Sequence, residues 1–153
     1  MKRLEFFYDF VCPYAYLAST QVRALAETCN AELVYRPVLL GGIFNHLRGN
    51  SEKEYAPNQM NAAKARINQR DLERYAALFA APLNKPSAHP RRTVLALRAA
   101  LASGSVAEAS HALFEAYWVQ GDDLEDPSVV AAALNGAGLD GARAVAEAPN
   151  HKQ

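Results

Sequence analysis

Phe6-Phe7-Tyr8-Asp9-Phe10-Val11-Cys12-Pro13-Tyr14-Ala15-Tyr16-Leu17-Ala18 decides the reading of this chain, because it runs from a strand into a helix through a Cys-Pro step. The aromatic run from Arg3 to Asp9 predicts a buried or half-buried strand. Pro13 to about Thr28 predicts a helix whose apolar face uses Tyr16, Leu17, Val22, Leu25 and Cys29. Proline suits the first helical position, where its missing N–H costs nothing and its φ is already helical. A sulfur at that junction faces unpaired backbone N–H groups and the positive end of the helix macrodipole, and both favour a thiolate. Cys12 is therefore the candidate catalytic residue.

Outward from this junction, Glu32 to Arg36 reads as a second short strand. Two strands joined by a crossover helix form a right-handed βαβ unit with a parallel pair, the opening of an α/β fold. After Val38 the strand signal stops, and Gly41-Gly42 begins a polar, proline-containing stretch that extends to Pro57. The chain then reads as helices. Asn58 to Phe79 carries Ile67, Leu72, Tyr75, Leu78 and Phe79 at helical spacing, and Arg91 to Leu101 carries Val94, Leu97 and Leu101. Ser105-Val106-Ala107-Glu108 is a capping-box pattern, and Asp126-Pro127 pairs an N-cap with proline at the first helical position. Gly136 and Gly138 close that helix, and another begins near Asp140.

Of the 153 residues, 50% are apolar, enough for one core. The 16 basic and 16 acidic side chains balance, so no overall charge points to nucleic acid or to an acidic membrane. The start lacks a signal-peptide core and no stretch is long enough to span a bilayer, so a cytoplasmic protein is expected. The only two cysteines are Cys12 and Cys29. A Cys-x-x-Cys redox pair would need its second sulfur at position 15, where Ala15 stands, so Cys12 has no local resolving thiol. Cys29 is expected as a buried apolar residue at the far end of the first helix. His46, His89, His111 and His151 show no ligand spacing, and no metal site is assigned.

Tyr8 to Ala18, Arg36-Pro37-Val38-Leu39-Leu40-Gly41-Gly42-Ile43-Phe44, Gly49-Asn50, Asp71 to Ala76, Ala81-Pro82-Leu83, His89-Pro90-Arg91-Arg92 and Ala137-Gly138-Leu139-Asp140 together resemble the 2-hydroxychromene-2-carboxylate isomerases and kappa-class glutathione transferases. These form part of the DsbA-like branch of the thioredoxin fold. The resemblance implies an α/β chain with an N-terminal thioredoxin-like βαβ half over residues 1–44 and a helical insertion domain over 45–153. It also implies a cis-proline strand, a hairpin partner and a final helix, none of which occurs in these 153 residues.

By the same resemblance, the chain is a glutathione-dependent isomerase or transferase of small aromatic substrates. The residue aligned with Cys12 is usually a serine that holds the glutathione thiolate, and Pro13, Tyr14 and Asn50 fall at glutathione-binding positions. Asn45 stands where the family often has lysine, which weakens a claim to binding the isomerase's carboxylate substrate. Two alternatives remain: a one-cysteine thiol-disulfide oxidoreductase working through Cys12, and a truncated, non-catalytic module. Without the later strands a sheet edge is left unpaired, so a homodimer is expected.

Overall fold

The computed structural model describes residues 2–47 and 61–151. The chain runs β1 (Lys2–Tyr8), α1 (Pro13–Thr28), β2 (Ala31–Pro37), α2 (Leu40–Leu47), α3 (Ala62–Leu78), α4 (Val94–Ala102), α5 (Val106–Glu115), α6 (Pro127–Gly136) and α7 (Gly141–Glu147). A π-helical turn, Ala116–Gln120, extends α5, and a 3-10 turn, Ala148–Asn150, follows α7. β1 and β2 pair in parallel with Leu4 beside Leu33, Phe6 beside Tyr35 and Phe7 beside Arg36. This is the βαβ unit that the opening residues predict.

The pleat divides β1 cleanly. Phe6 and Tyr8 are buried and Leu4 is half-buried, whereas Phe7, two residues from Glu5 on the opposite face, keeps 59% of its surface in solvent. The inner face meets α5 through aromatic rings: Tyr8 and Phe10 lie 5.3 and 4.9 Å from Phe114, centroid to centroid. Edge-to-face and tilted rings at this separation add to the burial itself. The Tyr8 hydroxyl is satisfied by Ser110, which in turn donates to the Val106 carbonyl, so a buried phenol costs little. One core therefore runs from the sheet into the helices, with Leu97, Leu113, Trp118, Leu124, Val130 and Leu134 closing it.

Several expectations need correction. Within the stretch after Val38, Leu40–Leu47 is helical despite Gly41-Gly42. The third helix starts at Ala62 behind an Asn61 N-cap rather than at Asn58, and none of its residues is buried. Its apolar spacing is real, but Ile67, Tyr75 and Leu78 are exposed at 61, 47 and 72%, and only Leu72 and Ala76 rest against the core. On α1, Ala26 takes the buried position expected of Leu25, which is 53% exposed. Cys29 is exposed too, because α1 ends one residue before it and the chain turns away through Asn30 at φ +49°.

Among the described residues, side-chain caps account for three helix starts, at Asn61, Asp126 and Asp140. Asp126 accepts from Ser128 N–H with Pro127 at N1, as the sequence predicts, and Asp140, near which a helix was expected to begin, accepts from Arg143 N–H. At Ser105 the expected box takes another form: its hydroxyl bonds the Glu108 carboxylate directly instead of a backbone N–H, and this bond holds Glu108 below the usual carboxylate range.

Among the described glycines, Gly141 comes closest to a neighbouring element. A Cβ there would lie 2.8 Å from the carbonyl carbon of Ala131 on α6, and closer still to its oxygen. Backbone cannot yield as a flexible side chain can. Gly141→Ala is expected to destabilise the fold by about 1–3 kcal/mol, the usual cost of overpacking. Urea denaturation will show it as a lower midpoint at unchanged slope.

Candidate functional site

Cys12 is the residue immediately before α1, with extended backbone (φ −89°, ψ 113°) and Pro13 at the first helical position. Its carbonyl accepts the first helical bond from Tyr16 N–H at 3.0 Å, and its own N–H donates to the Asp9 carbonyl at 3.0 Å. No side chain caps this helix. The N–H groups of Tyr14 and Ala15 therefore have no backbone or side-chain acceptor among the described residues, and they sit beside a half-buried thiol.

The turn that holds Cys12 is organised by a residue that sequence reasoning passed over. Asp9 is 3% exposed. Its Oδ1 accepts from the Thr93 hydroxyl at 2.6 Å and from Val11 N–H at 3.2 Å, while Oδ2 accepts from Leu40 N–H at 2.8 Å. One carboxylate thus joins the turn before Cys12, the first residue of α2 and the residue before α4. Burial pushes the Asp9 carboxyl above the usual carboxylate range, against the opposing pull of these hydrogen bonds. The signal was present in the sequence: an acid inside the aromatic run Phe7-Tyr8-Asp9-Phe10 is costly unless it is paired.

A second clamp holds the next residue. Trp118 Nε1–H donates to the Phe10 carbonyl at 2.8 Å, and the indole stacks on Tyr16 at 6.0 Å. Trp118 belongs to the π-helical turn, whose carbonyls bind outward: Trp118 O accepts from Asn84 N–H at 2.6 Å and Val119 O from Asn84 Nδ2 at 2.8 Å. Tyr16 reaches the same loop through its hydroxyl, which donates to Pro82 O at 2.6 Å. A π-turn has no strong sequence signature, and insertions of this kind often sit beside functional residues.

Tyr14 lies on the outer rim, 44% exposed. Partial burial raises its phenol pKa, and the nearby Asp71, Cys12 and Tyr75 act in the same sense, so the exposed helix α3 contributes Asp71 and Tyr75 to the surroundings of Tyr14. The structure thus brings together Cys12, Pro13 and Tyr14. Asn50 lies outside the described residues. The cavity of about 280 Å³ beside α4 is lined by Arg92, Leu95, Arg98 and Glu125, and the one of about 460 Å³ lies between α5 and α6; neither includes Cys12.

A family model of DSBA-like thioredoxin domains matches residues 3–153. The chain belongs to this family. Within it, the chain is similar to a 2-hydroxychromene-2-carboxylate isomerase from Sphingobium xenophagum, 32% identical over 88 residues. That match takes in 56% of this chain and 42% of the relative, so the chain spans less than half the length of that protein. A solved structure of a 2-hydroxychromene-2-carboxylate isomerase superposes with a TM-score of 0.69 at 22% identity, over 97% of this chain and 71% of the other. That likeness shows the thioredoxin-like fold. Among the described residues of this DSBA-like chain, the sheet consists of β1 and β2 alone.

Asp9→Asn keeps one carbonyl acceptor but cannot receive Leu40 N–H, and is expected to cost about 1–3 kcal/mol. Its pH dependence follows from the raised carboxyl pKa. The native state binds the proton more tightly than the unfolded chain, so the stabilising contribution of Asp9 is complete below the unfolded value and is lost as pH rises through the native one. Urea titrations from acid to neutral pH should therefore show the gap between parent and Asp9→Asn narrowing as pH rises.

Proposed function

We propose that this chain carries the thiol-handling part of a glutathione-dependent isomerase or transferase acting on small aromatic molecules. The observation that carries the reading is the uncapped start of α1, with Cys12 at its mouth. A glutathione sulfur placed there would be held as a thiolate by the N–H groups of Tyr14 and Ala15, with the Cys12 thiol as a further donor. Glutathione supplies the nucleophile: its thiolate adds to an activated double bond, the new single bond rotates, and elimination releases the thiolate unchanged. Tyr14, two residues past the thiol, and Tyr75 near it offer exposed aromatic rings, a surface suited to a planar substrate. The similarity to a 2-hydroxychromene-2-carboxylate isomerase supports the same class.

The second reading is mixed-disulfide exchange through Cys12 itself. Its thiol is free and half-buried, and Cys29 sits at the other end of a 16-residue helix. At 1.5 Å per residue the two sulfurs are about 25 Å apart, so no disulfide can close between them. Any redox cycle would need an external thiol.

Calorimetry with glutathione tests binding first, and activity is then read on an aromatic cis/trans substrate pair. If Cys12 only holds the glutathione thiolate, Cys12→Ser should stay within a few-fold of the parent, while Cys12→Ala should lose about tenfold or more, the equivalent of one charge-assisted hydrogen bond. Loss in both variants of mixed-disulfide reduction, with no glutathione-dependent isomerisation by the parent, assigns the redox chemistry instead.

A further inference from the structure

Three aromatic rings meet at the residue that grips the turn before Cys12. The half-buried imidazole of His89 packs against Trp118 and Tyr117, with centroids 5.3 and 6.0 Å away, and those two rings lie 5.2 Å apart in the π-helical turn. Tyr117 and Trp118 are both buried. Trp118 is the chain's single tryptophan, and its Nε1–H holds the Phe10 carbonyl two residues before Cys12.

The hydrogen bonds of this cluster depend on one proton. Among the described residues the Tyr117 oxygen has two partners, Arg91 N–H at 3.2 Å and His89 Nδ1 at 2.9 Å. A backbone N–H can only donate, so Nδ1 is the acceptor there for the Tyr117 proton, and it accepts only while it carries no proton of its own. With Nδ1 protonated, a buried hydroxyl is left without an acceptor, and such a loss is costly. The charges around the ring are Lys85, from the loop that carries His89, and Arg91, whose guanidinium is engaged by Asp123 at 2.9 Å and Glu125 at 3.9 Å. Asp9, Arg91 and Asp123 act on Tyr117. Burial, with Lys85, holds the imidazole below the ordinary histidine range, in keeping with a ring that is neutral when packed.

We propose that His89 is a proton-sensitive positioning residue for the thiol: unprotonated at Nδ1 it accepts from Tyr117 and keeps the π-helical turn closed on the Phe10 carbonyl, and once protonated it releases Tyr117 and loosens the turn that presents Cys12. An imidazolium is also attracted to an indole, so protonation exchanges the bond to Tyr117 for a stronger contact with Trp118. The coupling is the same whether Cys12 holds a glutathione thiolate or reacts itself.

Alkylation of Cys12 by iodoacetamide from about pH 5 to about pH 8, the span in which histidine titrates, reads this coupling. A Cys29→Ser background removes the exposed second thiol at the other end of α1. His89→Asn places an amide oxygen near the position of Nδ1 and does not titrate, whereas His89→Phe keeps a ring on Trp118 and offers no acceptor. Dividing the parent rate by the His89→Asn rate removes the titrations of Cys12 and Asp9, which both proteins share. The ratio should be near one on the alkaline side of the His89 titration and fall about fivefold on the acid side, the equivalent of one neutral hydrogen bond. His89→Phe should react about fivefold more slowly than the parent at the alkaline end, with the gap closing toward acid. Trp118 fluorescence in the parent should change with the same midpoint as the rate ratio, and His89→Asn should lack that transition. A ratio flat with pH overturns the proposal, and so does a His89→Phe variant that matches the parent at the alkaline end. A fluorescence transition at a different midpoint, or one kept by His89→Asn, assigns the response to another group such as Asp9 and overturns it equally.

Discussion

The structure depends on where the carboxylate of Asp9 goes. It sits at the end of a strand, 3% exposed, in the position where the chain must leave the sheet and start a helix. Three elements meet at its two oxygens through Val11, Leu40 and Thr93. Burial works against the charge, and the hydrogen bonds offset only part of that cost, less still if any of the three partners moves away. The carboxylate therefore acts as a geometric lock. It sets the direction in which Cys12 enters α1 and the points from which α2 and α4 depart.

The aromatic layer completes this lock from the other side. Trp118 holds the Phe10 carbonyl, and Phe114 packs against Tyr8 and Phe10, so the turn before Cys12 is gripped between helix and sheet. His89 extends the network: Tyr117 hydroxyl lies 2.9 Å from its Nδ1 and receives Arg91 N–H at 3.2 Å. Burial, with help from Lys85, lowers the His89 pKa and so favours the neutral imidazole. The helices thus do more than cover the βαβ unit. They fix the backbone that presents the thiol.

Legibility followed the range of the interactions involved. The Cys12-Pro13 helix start, the cap at Asp126, the helix start near Asp140 and the stop at Gly138 were all readable, because each is set by neighbours within a few residues. The reading failed where burial was assumed from spacing. Ile67, Tyr75 and Leu78 have the period of a core-facing helix, but α3 lies on the rim beside α1 and leaves them in solvent. Gly41-Gly42 suggested a break, but the N–H of Leu40 finds an acceptor in Asp9, 31 residues earlier, and a helix starts there. Cys29 was lost for a similar reason: the helix ended before it.

By itself, then, the sequence determined the order of strand and helix at the N-terminus, the single thiol at a helix mouth and the absence of a second thiol at Ala15. These depend on local stereochemistry and on residue identity alone. Only the tertiary structure decided which buried acid organises the turn, which aromatic ring grips it, and that Asp71 and Tyr75 stand near Tyr14. Partners separated by between 31 and 108 residues cannot be read from periodicity, because their pairing follows from how the helices pack on the sheet.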